Sequence, residues 1–117
     1  MSRRILVVDD DPDFRGLAAR IVGGNGIEVR EAATVATAIE VALEARPGAA
    51  LVDIGLPDGD GLEVARHLSS MPWPVHIVLT SSDPDAVSPD DIRACGAQAF
   101  VPKDQLSDVP LRRLLSI

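Results

Sequence analysis

The stretch ILVVDDDPDF, residues 5–14, runs four apolar residues directly into three consecutive aspartates. Ile5 to Val8 is continuous and apolar, which is how a short strand covered on both faces reads. Asp11 followed by Pro12 reads as a helix N-cap and first helical residue. The cap carboxylate can accept from an orphan backbone N–H, and proline lacks the donor that the first turn cannot use. Phe14, Leu17, Ala18, Ile21 and Val22 then recur at helical spacing. Gly23-Gly24 ends that helix, and because GGNG follows a helix rather than opening one, it is a C-cap turn and not a nucleotide loop. The stretch is therefore strand, acidic turn, helix, with Asp9 and Asp10 left at the carboxyl end of a buried strand.

The same unit recurs along the chain. Ile27 to Glu31 alternates apolar and charged residues, as an edge strand with one wet face does. Thr34 can cap a second helix carrying Val35, Ala38, Ile39, Ala42 and Leu43, which Pro47-Gly48 stops. Ala49–Asp53 and Val75–Thr80 are further apolar runs, separated by a Gly/Pro/Asp loop and helical positions Leu62, Ala65 and Leu68. Ser88 and Pro89 open a short fourth helix, Gln98–Val101 makes a fifth strand, and Leu111, Leu114 and Leu115 give a last helix one face. Five β-α units in a row predict right-handed crossovers and a doubly wound parallel sheet with helices on both faces.

Composition narrows the function classes. A chain of 117 residues fits one domain, 1–117, with no output domain expected in it. A net charge of -7 argues against direct nucleic-acid binding, which depends on clustered Lys and Arg. The single Cys95 has no internal disulfide partner and reads as a small packed residue. MSRR precedes only four apolar residues, too few for a signal-peptide core or a membrane span, so the cytoplasm is the expected compartment. His67 and His76 lack metal-ligand spacing and read as structural or surface groups.

In open parallel sheets ligands bind beyond the carboxyl ends of the strands. Asp9 and Asp10 end strand one, Asp53 ends strand three, Thr80 ends strand four and Lys103 follows strand five, so all five should share one edge. Paired carboxylates there would repel by about 4 kcal/mol at ~4 Å and an effective dielectric near 20. One divalent cation and the lysine ammonium balance the charge of Asp9, Asp10 and Asp53. An all-oxygen site with few carboxylates favours Mg²⁺.

These residues resemble the receiver domains of two-component response regulators. ILVVDDDP is similar to the family's first strand and acidic pair, LVDIGLPDGDG to its phosphoacceptor strand and following loop, IVLTSS to its fourth strand and GAQAFVPK to its fifth. The resemblance covers essentially the whole chain and implies the flavodoxin-like receiver fold, with strand order 2-1-3-4-5. It implies that Asp53 accepts a phosphoryl group from the phosphohistidine of a histidine kinase or histidine phosphotransfer protein. It implies that Asp9, Asp10, Asp53 and the Gly55 backbone carbonyl organise Mg²⁺, and that Thr80 and Lys103 contact the phosphoryl group. Thr80 and Phe100 would then switch the face built from helix four, strand five and helix five. Such a chain is a phosphoacceptor, not a turnover enzyme, catalysing only its own phosphorylation and dephosphorylation. Its output would pass to a protein partner or to an output domain outside this chain, with a phosphorylation-dependent homodimer as a further form.

Some positions depart from the family pattern. Many members follow the lysine with a cis proline; Asp104 stands here, where a cis bond would cost about 3 kcal/mol. Pro84 and Pro89 interrupt the segment before strand five. Gly55 and Ser82, at the positions flanking the phosphoryl group, are small or polar, which predicts easy water access and a short-lived phosphorylated form. Two alternatives come from other classes. Asp9-x-Asp11 is similar to the haloacid dehalogenase phosphatases, Mg²⁺ enzymes with an aspartyl-phosphate intermediate, although Asp13 stands where that pattern expects Thr or Val. The other is a phosphorylation-independent interaction module, disfavoured by the intact acid and lysine set.

Overall fold

The computed structural model describes residues 3–24 and 26–117. In chain order the elements are β1 (Arg4–Val8), α1 (Pro12–Val22), β2 (Glu28–Ala32), α2 (Val35–Ala45) and β3 (Ala49–Asp53), then a small hairpin of β4 (Gly55–Leu56) and β5 (Gly59–Asp60). There follow α3 (Gly61–Ser69), β6 (His76–Ser81), α4 (Pro89–Cys95), β7 (Ala99–Pro102), a 3₁₀ helix (Lys103–Asp108) and α5 (Leu111–Leu114). The main sheet has five strands in the order β2-β1-β3-β6-β7, all parallel. With the hairpin set aside, this is the predicted order 2-1-3-4-5.

Strand alternation sends neighbouring residues to opposite sides of the sheet. Leu6, Val8, Ala50, Val52, Ile77 and Leu79 pack with Ala38 and Ala42 of α2, Val64 and Leu68 of α3, and Cys95 of α4. Ile5, Val7, Ala49, Leu51, Val78 and Val101 pack with Ala18 and Val22 of α1 and with Leu111 and Leu115. Burying each such Val, Leu or Ile side chain contributes about 1.5–3 kcal/mol, so the two layers carry most of the stability. Coverage on both faces is the reason β1 and β3 read as uninterrupted apolar runs. The edge strand β2 keeps a wet side, where Arg30 pairs with Glu28 at 2.8 Å.

The predicted caps form. Asp11 accepts from the Asp13 N–H at 3.0 Å, and Thr34 Oγ1 accepts from the Thr37 N–H at 3.0 Å. Ser88 and Asp91 exchange side-chain and backbone bonds in a capping box, with Pro89 at the first position of α4. Cys95 is buried and His67 exposed. The turn after α1 carries positive φ at Gly24 (91°) and Gly26 (81°), the backbone that glycine tolerates.

Several boundaries differ from the periodicity. Ile27 is drawn into an antiparallel bridge with Gly24, so β2 starts one residue later. β6 and β7 each sit one residue further along than predicted. The last helix is only four residues long: Lys103–Asp108 winds as a 3₁₀ helix, and Pro110 keeps the preceding residue out of helical backbone. α2 ends before Pro47, at Arg46 in the left-handed region (φ 51°), whose guanidinium lies 4.5 Å over the Trp73 ring. The loop after β3 is an ordered hairpin. No described peptide bond is cis, Lys103-Asp104 included.

Candidate functional site

The parallel register brings the acids together. Val8 pairs with Val52, which sets the following residues Asp9 and Asp53 side by side, and Asp53 pairs directly with Thr80. Side-chain alternation puts Asp9, Asp53, Thr80 and Lys103 on the α1–α5 side of the sheet, continuing the rows Ile5-Val7, Ala49-Leu51, Val78 and Val101. One oxygen each from Asp9, Asp10 and Asp53 lies within 4.8 Å of the others. Asp9 is wholly buried, Asp53 is 6% exposed, and Asp10 faces solvent.

Lys103 Nζ is 2.7 Å from Asp9 Oδ2 and 3.4 Å from Asp53 Oδ2. The closer approach gives the buried Asp9 Oδ2 its charge partner, whereas the buried Thr80 Oγ1 has no hydrogen-bond partner. Asp9 Oδ1 accepts from the Asp11 N–H at 2.9 Å, and Asp53 Oδ1 accepts from the Gly55 N–H at 3.4 Å. Burial, followed by the neighbouring Asp9 charge, raises the Asp53 pKa above the ordinary carboxylate value despite Lys103 and the Gly55 N–H. Burial works against the Lys103 ammonium, but Asp9 and Asp53 together outweigh it and raise the lysine pKa.

Two residues of the first turns of α1 also belong to this site: Phe14, which periodicity places on the helix's apolar face, and Arg15, which no sequence pattern singles out. The Phe14 ring centroid lies 4.4 Å from Lys103 Nζ, a cation–π contact that adds to the ammonium's ion pairs with the acids. Arg15 donates from Nη1 to the Asp9 carbonyl at 2.6 Å and from Nε to Glu31 at 3.0 Å, tying the acidic turn to β2. The available signal was their place in the first turns of a helix that starts at the end of β1. Asp11 is engaged as the α1 cap, which removes the second aspartate of the Asp-x-Asp alternative from the cluster.

Phe100 lies apart from these groups. It pairs in register with Leu79 and packs, half-buried, against the cluster containing Leu79 and Cys95, on the sheet face away from Thr80. Gly55, whose N–H donates to Asp53, and Ser82, two residues after Thr80, are both exposed.

Residues 5–113 match the response regulator receiver domain family. The chain is 36% identical over 118 residues to the response regulator MprA of Mycobacterium ulcerans, covering 100% of this chain and 50% of that protein. It is 39% identical over 106 residues to the DNA-binding transcriptional activator DevR/DosR of Mycobacterium tuberculosis, covering 89% of this chain and 48% of that protein. Among solved structures, the BeF3-activated N-terminal receiver domain of Klebsiella pneumoniae RstA superposes with a TM-score of 0.80 at 32% identity, covering 95% of this chain and 94% of that one. The chain thus spans about half the length of the curated relatives it matches. The doubly wound sheet, with three acids and a lysine at its switch-point edge, agrees with that match. This chain belongs to the response regulator receiver domain family of two-component systems.

Among the described residues, no helix is long and apolar enough to cross a membrane.

Proposed function

We propose that this chain accepts a phosphoryl group from the phosphohistidine of a histidine kinase, or of a histidine phosphotransfer protein, onto Asp53 in a Mg²⁺-dependent reaction. The observation that carries the reading is the convergence of Asp9, Asp10, Asp53 and Lys103 at one sheet edge, with Thr80 Oγ1 buried beside them and lacking a hydrogen-bond partner. Three carboxylate oxygens within 4.8 Å of one another are the donor set that a hard divalent cation takes, so the residues present fit Mg²⁺. Asp9, Asp10, Asp53 and the Gly55 backbone carbonyl would hold it. When bound, it supplies charge neutralisation for the transferred phosphoryl oxygens.

The chain's own residues carry the rest. An Asp53 carboxylate oxygen attacks phosphorus, the P–N bond to the donor imidazole breaks, and the bonding pair leaves with the imidazole. No separate base is needed, because the nucleophile is a carboxylate and not a hydroxyl. The Lys103 ammonium, already 3.4 Å from Asp53, offsets charge on the arriving phosphoryl oxygens, and the Thr80 hydroxyl, directly across the register, can donate to one of them. Drawing Thr80 toward the new anion would shift the end of β6. We assign the response to Thr80 and Phe100, with the α4–β7–α5 face as output toward a protein partner or an output domain outside this chain. A phosphorylation-dependent homodimer would use the same face. The exposed Gly55 and Ser82 leave water a path to the phosphoryl group, which favours a short-lived product.

The test is the intact mass after incubation with acetyl phosphate and Mg²⁺. One added phosphoryl group, absent in Asp53→Asn and in metal-free samples, is the expected result. No added mass under rapid quenching would sink the phosphoacceptor reading.

A further inference from the structure

Asp58 stands at the turn of the β4–β5 hairpin, and its carboxylate reaches across to the start of α2. Its Oδ1 accepts from the Val35 N–H at 2.8 Å and its Oδ2 from the Ala36 N–H at 3.2 Å. These first-turn donors have no partner within their own helix, and the positive end of the helix favours an anion there. Thr34 already caps the same helix through the Thr37 N–H. The Asp58 bonds are therefore more than a local cap: they join two loops more than twenty residues apart in sequence.

A second observation shows that the hairpin is seated and not merely tethered. A Cβ built on Gly59 would come within 3.1 Å of Val35 Cγ2 and 3.0 Å of Glu63 Oε1, so the β5 backbone lies close against the first residue of α2. Leu56 of β4 packs on the core cluster that includes Val35. The other end of the hairpin is the acidic site, since Gly55 donates to Asp53 Oδ1 and pairs with Asp60. The segment just before α2 is fixed to that site as well, because the Asp9 N–H donates to the Ala32 carbonyl at 3.0 Å. The Ala32 carbonyl and the Val35 and Ala36 N–H groups thus anchor two loops, the Asp9 turn through the backbone and the Gly55 turn through Asp58.

We propose that Asp58 is a positioning residue for divalent-cation binding: by clamping the hairpin turn onto the N-terminus of α2, it holds the Gly55 backbone at the Asp9–Asp53 cluster. Asp58 does not touch the cation or the phosphoryl group. It removes freedom from the loop that presents the Gly55 carbonyl, so that this freedom is not lost again when the cation binds. The inference rests on the proposed Mg²⁺ site.

The test is isothermal titration of the intact chain with MgCl₂, comparing wild type, Asp58→Ala, Asp58→Asn and Thr34→Ala, with the melting temperature of each measured without metal. Asp58→Ala is expected to weaken Mg²⁺ binding about tenfold, the loss that removing an outer-shell support typically causes. Asp58→Asn, which keeps one acceptor oxygen, should recover part of that loss. Thr34→Ala removes the other cap of α2 and is expected to lower the melting temperature while leaving Mg²⁺ affinity unchanged. If Asp58→Ala lowers only the melting temperature and wild-type Mg²⁺ affinity persists, Asp58 is a helix cap alone and the proposal fails while the metal site stands. If wild type itself binds no Mg²⁺, the metal reading fails and the proposal fails with it.

Discussion

Asp53 and Thr80 are direct register partners on β3 and β6, and the buried Thr80 hydroxyl has no hydrogen-bond partner. A desolvated hydroxyl left unbonded costs stability, and under the proposed function the arriving phosphoryl group would supply its partner.

Thr80→Val replaces that hydroxyl with a methyl group of similar volume. The fold should change by less than about 0.5 kcal/mol, or gain, because no bond is lost. The phosphorylation-driven response should disappear. Denaturant unfolding checks the first part, and a loss above about 2 kcal/mol would show that the hydroxyl is bonded in the resting protein.

Asp53→Asn should stabilise the resting fold at neutral pH. The carboxyl has its pKa raised, by burial first and by Asp9 second. A raised carboxyl pKa gives a contribution that is present below the ordinary value and lost as pH rises through the folded one, so ionised Asp53 opposes folding at pH 7. A gain of about 1 kcal/mol is expected at pH 7, shrinking below about pH 4, where the carboxyl is protonated in both states. Thermal unfolding at the two pH values reads this directly.

Lys103→Met leaves Asp9 and Asp53 side by side without their shared cation. Because the ammonium is partly solvated, the expected loss is about 1–2 kcal/mol, below that of a fully buried pair. The raised lysine pKa places this contribution fully in force below the ordinary lysine value, lost only as pH climbs through the raised one. Combined with Asp53→Asn, the loss should be smaller than the sum of the single effects. An additive double-mutant cycle would show that the 3.4 Å contact carries no coupling.

Gly61→Ala probes the backbone beneath the site. A Cβ at this position would meet the Asp53 carbonyl carbon at 2.8 Å and the Ile54 Cα at 3.0 Å, backbone atoms that cannot swing aside. A destabilisation of about 2–4 kcal/mol is expected, with slower labelling by acetyl phosphate because Asp53 itself must move. Unchanged unfolding would mean that the chain reaches Asp53 by another path.

Local pattern alone determined much of this protein. The apolar runs before Asp9, Asp53 and Thr80 mark strands buried on both faces. Asp11-Pro12, Thr34 and Ser88-Pro89 mark helix starts, because caps act within three residues of themselves. The alternation of these units sends every strand end to one edge, so Asp9, Asp10, Asp53, Thr80 and Lys103 were legible as a group before any coordinate. What the tertiary structure decided lies where residues distant in sequence meet. Phe14 beneath Lys103, Arg15 on the Asp9 carbonyl and Asp58 on the N-terminus of α2 depend on register and packing between elements, which hydrophobic periodicity does not encode. Phe100 falls on the face away from Thr80 because its register partner is Leu79. The shortened α5 and the β4–β5 hairpin have the same origin: a helix pattern or a glycine-rich turn states a local preference, and the contacts available in the folded chain determine how far it extends.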